Sequence, residues 1–503
     1  MKQTRFPTLA YNFTTAVGLL LAGIGALTAI VLFVLVSTRE HGNAYVGILL
    51  YLVIPAFMIM GLLLVPLGMW RRHRAIQQGR DRGESWPVVD LNRPPHRRAL
   101  AIFAVGTVMF VGLSAFGAYH GYEYTESVEF CGTTCHDVMK PEYVAYQHSA
   151  HARVACASCH IGGGASWFAK SKISGMYQVY AVLADKYPRP IETPIRELRP
   201  AQETCEQCHW PQKFFGGQQK QFNHYMYDST NTHWPINLLI KTGGGDPRTG
   251  QSSGIHWHMN IGAKVDYIAR DHDRTDIPWV RVTDRQTGRV TVYANSDGDT
   301  LTAADHDTLT VRTMDCVDCH NRPSHGYPPP DETIDQAILL GQIDPSLPEI
   351  KRVAVEAMAE TYETEPEALT AIANSIGEFY ESNHPELYDS RRADIDDAIL
   401  ATRAAFSRSI FPEMKARWDV YPSNVGHFNS IGCMRCHNQN LQSAAGESIT
   451  TDCNACHTIL SQGTGARLAS SHGAEGLEFE HPVDIDDAWR ENGCYECHTG
   501  TQP

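Results

Sequence analysis

Three long stretches near the N-terminus carry neither a charged residue nor a histidine: Phe6 to Thr38, Gly42 to Trp70 and Ala99 to Tyr119. A helix needs about 20 apolar residues to cross about 30 Å of hydrocarbon, so each stretch predicts one transmembrane helix. The first run is longer than the roughly 7–15 residues of a signal-peptide core and reads as an uncleaved anchor. Beyond Tyr119 the pattern changes. Within residues 211–330, pieces such as Trp279 to Thr283 and Arg289 to Tyr293 are β-prone and joined by turn residues, predicting short strands. Within 331–420, Ala337, Leu340, Ile350, Val353, Val355, Met358, Ile372, Ile376, Phe379 and Tyr380 recur near helical spacing. Pro328 to Pro330 mark a boundary between the two.

Charge orients the membrane part. The connection 71–98 holds Arg71, Arg72, Arg74, Arg80, Arg82, Arg93, Arg97 and Arg98 against Asp81, Glu84 and Asp90, and Lys2 and Arg5 precede the first span. Positive charge stays on the cytoplasmic side, which places everything after Tyr119 outside, in the periplasm of a bacterial inner membrane. Residues 120–503 carry 31 Lys and Arg against 52 Asp and Glu. Such a field argues against nucleic acid and suits a basic partner.

All fourteen cysteines fall into seven motifs, each ending in histidine. Six read C-x-x-C-H: Cys156/Cys159/His160, Cys205/Cys208/His209, Cys316/Cys319/His320, Cys433/Cys436/His437, Cys453/Cys456/His457 and Cys494/Cys497/His498. The first along the chain has one residue more: Cys131-Gly-Thr-Thr-Cys135-His136. Two thioether bonds plus an adjacent imidazole are what covalent c-type haem requires. Structural zinc has no use for a histidine after every second cysteine. A redox pair would occur once, and a disulfide framework has no reason to repeat the histidine. Seven c-type haems are expected.

Haems that only pass electrons usually take a second histidine. Seventeen histidines lie outside the motifs. His151, His325, His427 and His481 sit close to a motif and are the leading candidates, followed by His224, His233 and His472. His256 and His258 are two apart; at strand spacing they point to opposite faces, so one of the two is expected to ligate. The longer first motif changes the reach of His136, leaving His136 or Met139 as ligand to that iron.

The expected fold class is a multihaem cytochrome c. Three transmembrane helices (1–119) precede a mostly irregular and helical haem-packed region with a small β-containing insert. Its parts would be a haem module at 120–210, the β-containing segment with the fourth haem at 211–330, a helical segment at 331–420 and a three-haem module at 421–503.

From Ala99 to His209 the chain resembles the NapC/NirT family of membrane-anchored quinol-oxidising cytochromes. The resemblance rests on a span running into Phe130-Cys131-Gly-Thr-Thr-Cys135-His136-Asp-Val-Met139, then Pro141-Glu142-Tyr143. It continues through Ser149-Ala-His151-Ala-Arg153-Val-Ala-Cys156-Ala-Ser-Cys159-His160, Trp167-Phe-Ala-Lys170-Ser-Lys172-Ile173, Glu192-Thr-Pro194 and Cys205-Glu-Gln-Cys208-His209. It implies quinol bound beside the first haem, methionine on that iron, and a lysine and an acid in contact with the quinone. Lys170 or Lys172 matches the lysine. The acidic position falls near Gln178, and Asp185 lies a few residues on. The two additional spans and four further motifs look more like the larger seven-haem inner-membrane quinol dehydrogenases. The expected function is oxidation of a quinol, menaquinol for instance, with electrons passed to periplasmic cytochromes or a reductase. The alternatives are an electron-transfer subunit of a larger respiratory complex and a terminal reductase of a small oxyanion.

Overall fold

The computed structural model describes residues 8–10, 12–37, 53–80, 90–134, 136–162, 165–195, 199–214, 216–243, 254–259, 262–296, 301–302, 305, 309–473 and 475–501. The chain divides into two compact units, one of residues 1–127 with 161–177, the other of 128–160 with 178–503.

The first unit contains helices α1 (Phe13–Ser37), α2 (Ile54–Gln77) and α3 (Pro94–Thr125). Helices α1 and α2 pack on each other through small residues. A Cβ on Gly18 would lie 2.6 Å from the Gly61 carbonyl, and one on Gly61 would lie 2.7 Å from the Ala22 nitrogen. Close backbone approach through glycine is how helices associate where no water drives them together. Thr15, fully buried, reaches across to the Val65 carbonyl at 3.4 Å. Among the described residues α2 is the one helix long and apolar enough to cross a membrane; α1 contributes a shorter apolar stretch, Phe13–Ala29. On α2, Phe57, Ile59, Leu62 and Leu63 are all more than half exposed, an apolar face suited to lipid. Helix α3 spans the third apolar run. The first eleven residues of the second run, 42–52, and the loop residues 81–89 lie outside the described residues.

The second unit contains α4 (His136–Gln147) and a helical subdomain of α6 (Pro330–Leu339), α7 (Ile350–Ala359), α8 (Glu365–Asn383) and α9 (Arg392–Ser409). Helix α5 (Ala165–Leu183) runs from the first unit into the second. The helical subdomain has a conventional core: Ile334, Ile350, Met358, Ile372, Ile376, Tyr380, Ile395 and Phe406 are completely buried. Thr364 caps α8 by accepting from the Glu367 amide, and proline at the first turns of α6 and α8 suits positions whose amides have no intrahelical partner.

Among the described residues, nine strands form two antiparallel sheets: β1 (Gln218–Tyr225), β2 (His233–Ile240), β3 (Ala263–Ile268), β4 (Trp279–Asp284), β5 (Val290–Asn295), β6 (Arg312–Thr313), β7 (Leu441–Ser443), β8 (His457–Gln462) and β9 (Ala469–Ser470). Their orders are β1-β2-β8-β9 and β6-β3-β4-β5-β7. The strands around Trp279 and Tyr293 stand where the alternation places them. The β-containing part extends beyond residues 211–330, because both sheets also recruit strands from residues 421–503. Strand β8 begins at a motif histidine, His457, and hydrogen-bonds to β2, so the segment 211–330 and the C-terminal motifs share one framework.

Candidate functional site

Each of the six C-x-x-C-H motifs is a single tight turn. The amides of His209, His320 and His498 bond back to the carbonyls of Cys205, Cys316 and Cys494 at 2.8 Å, and that of His437 to Cys433 at 3.1 Å. A helical turn puts positions i, i+3 and i+4 on one face, so both sulfurs and the imidazole point the same way. Asp315 and Asp452 start two of these turns by accepting from the amides of Val317 and Asn454. None of the thirteen described cysteines is in a disulfide. Cys135 and the His136 side chain lie outside the described residues.

Opposite six motif histidines stands a second imidazole. The ring centroids are 6.1 Å apart for His209 and His151, 6.2 Å for His160 and His325, and 6.3 Å for His320 and His256. They are 5.8 Å apart for His437 and His258, and 6.1 Å both for His457 and His427 and for His498 and His481. A metal–imidazole bond is about 2.0 Å and the ring centroid lies about 1.1 Å behind the nitrogen, so two imidazoles on one metal have centroids about 6.2 Å apart. Six spacings at that value are too wide for stacking and too uniform for coincidence.

The rings are also held in the ligating orientation. Nδ1 faces a backbone carbonyl in His151 (Pro323, 3.1 Å), His256 (Thr242, 2.6 Å), His258 (Ile255, 2.9 Å), His325 (Glu142, 3.1 Å), His437 (Thr450, 2.8 Å) and His481 (Val483, 2.7 Å). An Nδ1–H donated to a carbonyl leaves the Nε2 lone pair free for a metal. Burial lowers the pKa of His160, His258, His320, His427 and His457, and burial with His481 and His224 alongside brings His498 down to about 4. These six imidazoles are therefore neutral at pH 7, as a ligand must be. The sulfur pairs, the ring gaps and the neutral rings all fit a haem at each of these motifs.

Residues 94–198 match the N-terminal region of the NapC/NirT cytochrome c family. The chain is 42% identical over 491 residues to cytochrome c-type protein ImcH of Geobacter sulfurreducens, covering 97% of this chain and 95% of that protein. The chain belongs to the NapC/NirT cytochrome c family. It is also 30% identical over 115 residues to cytochrome c-type protein NrfH of Wolinella succinogenes, or 22% of this chain and 63% of that protein. No solved structure matches. A NapC/NirT cytochrome carries c-type haem and transfers electrons, and its N-terminal part anchors it to the membrane.

Several expectations about individual histidines need correction. Both His256 and His258 face a motif histidine, because they sit on a 3-10 turn, Ile255–Met259, and not on a strand. Two positions on such a turn differ by about 240°, so the rings diverge towards different motifs. His325 and His151 both face a motif histidine, as expected of candidates: His325, which follows the fourth motif, faces the second, and His151, which precedes the second, faces the third. Among the described side chains, His224 and His233 face no motif histidine at this spacing. His224 lies 3.6 Å from the Asp335 carboxylate and against Phe428. His233 bonds Asn223 at 3.0 Å and stacks on Tyr225, its cross-strand partner in the β1–β2 pairing. His472 is exposed on the connection after β9. Met139 is half-buried on α4.

The described cysteines differ in exposure. Cys208, Cys453 and Cys497 are exposed, whereas the other ten described cysteines, Cys159 and Cys456 among them, are partly buried. Cys497 closes the four-residue turn Cys494–Cys497. Its partner Cys494 takes the inner side of that turn, where burial pushes the thiol pKa up. An exposed sulfur still lies on the same face of the turn as His498, within the geometry that two thioethers and an imidazole require.

On the lysine segment, Lys170 lies over the Trp167 ring at 4.6 Å. Lys172 donates to Glu126 at 2.7 Å, and that carboxylate is only 12% exposed. Asp185 is 71% exposed and accepts from Arg189 at 2.8 Å. The carboxylate beside Lys172 is thus Glu126, which sequence reasoning missed. Its signal was position: it follows α3 directly and stands five residues ahead of Cys131.

Proposed function

We propose that this NapC/NirT cytochrome spans the inner membrane three times, holds seven haems on the periplasmic side, and oxidises quinol beside the first motif. Its electrons pass to a periplasmic cytochrome or reductase. The histidine pairs carry the reading. With two imidazoles at each of six motifs, no coordination position is left there for a substrate, which favours transfer over reduction of a small oxyanion. Bound haem iron supplies the one-electron chemistry. The protein's own work is to fix the rings, exclude water and receive the quinol. Lys172 is placed to hydrogen-bond a quinol oxygen, and Glu126 to take the proton that oxidation releases. The aromatic Trp167 under Lys170 suits the interface depth at which a quinone headgroup sits.

The test uses purified protein in detergent. Intact mass and pyridine haemochrome should both give seven haems, and spectra of the oxidised protein should show at most one high-spin haem. A menaquinol analogue should reduce the wild-type protein. In Lys172→Ala and Glu126→Gln that reduction should slow by about 10²-fold, the scale of a lost acid–base group, while reduction by dithionite stays as it was. Unchanged quinol reduction in both variants would move the entrance elsewhere. Rapid reoxidation of the reduced protein by nitrite or hydroxylamine would favour the terminal reductase.

A further inference from the structure

The fourth and fifth motifs are tied together twice. On one side a single turn, Ile255–Met259, supplies both facing rings: His256 opposite His320 at 6.3 Å and His258 opposite His437 at 5.8 Å. On the other side stands Arg435, inside Cys433-Met434-Arg435-Cys436 and only 7% exposed. Its Nε donates to the Gly432 carbonyl at 2.8 Å, and its two Nη atoms to the carbonyls of Arg274 at 2.9 Å and Asp318 at 2.8 Å. Asp318 lies between Cys316 and Cys319. A side chain inside one haem-attachment loop therefore grips the backbone inside the next.

The gripped loop is itself held. Asp318 is 2% exposed, and its carboxylate accepts from the Tyr267 hydroxyl, Arg274 and Arg312, each at 2.7 Å. Asn424 donates to the same Asp318 carbonyl at 3.1 Å. Burying a guanidinium is costly unless its donors are met. Here a planar fork reaches three carbonyls at once, a geometry that a lysine cannot reproduce. The turn Cys316–Cys319 also packs against the short helix Ala201–Thr204 that leads into the third motif.

We propose that the fourth and fifth motifs hold their haems as a fixed pair, clamped by Arg435 and by the His256-Trp257-His258 turn. This pair would be the junction through which electrons cross from the three N-terminal haems to the last two, at Cys453/Cys456 and Cys494/Cys497. The inference rests on the reading of the motifs as haem sites. Each crossing oxidises one iron and reduces the other, with no further reactant.

The test uses the full-length haem-loaded protein, air-oxidised for EPR and titrated with dithionite for the potentials, so that quinol chemistry plays no part. Arg435→Lys keeps the charge without the fork; Arg435→Gln removes both. Haem content and low-spin absorption should match wild type in each. The EPR broadening of one magnetically coupled pair should weaken, and two midpoint potentials in a spectroelectrochemical titration should shift. Should the Gln variant fail to fold, the Lys variant decides alone. Full haem loading with EPR and titration curves identical to wild type would overturn the junction. A wild-type protein lacking haem at either motif would overturn the reading of the motifs themselves.

Discussion

The facing rings make sharp demands on single residues. His256 and His258 each stand opposite a different motif histidine, so removing either should open one iron and one only. We expect His258→Ala to keep its haem content, since the cysteines remain, while one haem turns high-spin in the visible and EPR spectra. His256→Ala should do the same at another haem, and the double variant should show two. A single high-spin haem in the double variant would restore the one-ligand expectation. The outcome depends on Nδ1 as well as on distance: the carbonyls of Thr242 and Ile255 hold the two rings, so neither is free to turn and stand in for the other.

Among the elements, the α1–α2 pair depends on glycine for its geometry. Gly61 meets both the Ala22 nitrogen and the Gly18 carbonyl, 2.8 Å from a Cβ placed on it. Gly61→Leu must push the helices apart. Overpacking of this kind costs about 1–3 kcal/mol, which should appear as a lower unfolding temperature and faster proteolysis of the detergent-solubilised protein. The haem spectrum should not change, because the motifs belong to the other unit. Altered haem spectra in Gly61→Leu would show that the two units do not respond independently.

At the scale of the whole molecule, the proposed three-span topology puts the haem region and the arginine-rich loop on opposite sides of the membrane. A reporter fused within residues 80–93 should be active only in the form that works in the cytoplasm, and one after Tyr124 only in the form that works outside. The reverse result at either fusion would remove the three-span topology, and with it the outward release of protons from quinol.

What the sequence determined by itself is what short-range spacing determines. The cysteines and their adjacent histidine lie within six residues of one another, so the pattern of a c-type haem protein was legible from the motifs alone. The apolar runs of α1 to α3 and the core of the helical subdomain were legible for the same reason, since each pattern repeats within a few turns. The second ring at each site is supplied from outside the motif, by the long-range packing of the chain. Nothing local distinguishes His325 as the partner of His160 rather than His320, or His224 as a neighbour of Asp335 rather than of a motif. Nor does spacing say that Cys494 lies inward and Cys497 at the surface. The recruitment of β7 and β8 into sheets begun by β3 and β1, the grip of Arg435 on Asp318, and the pairing of Lys172 with Glu126 belong to the same class. Each depends on distant segments meeting, and burial and hydrogen bonding across those meetings were decided by the tertiary structure alone.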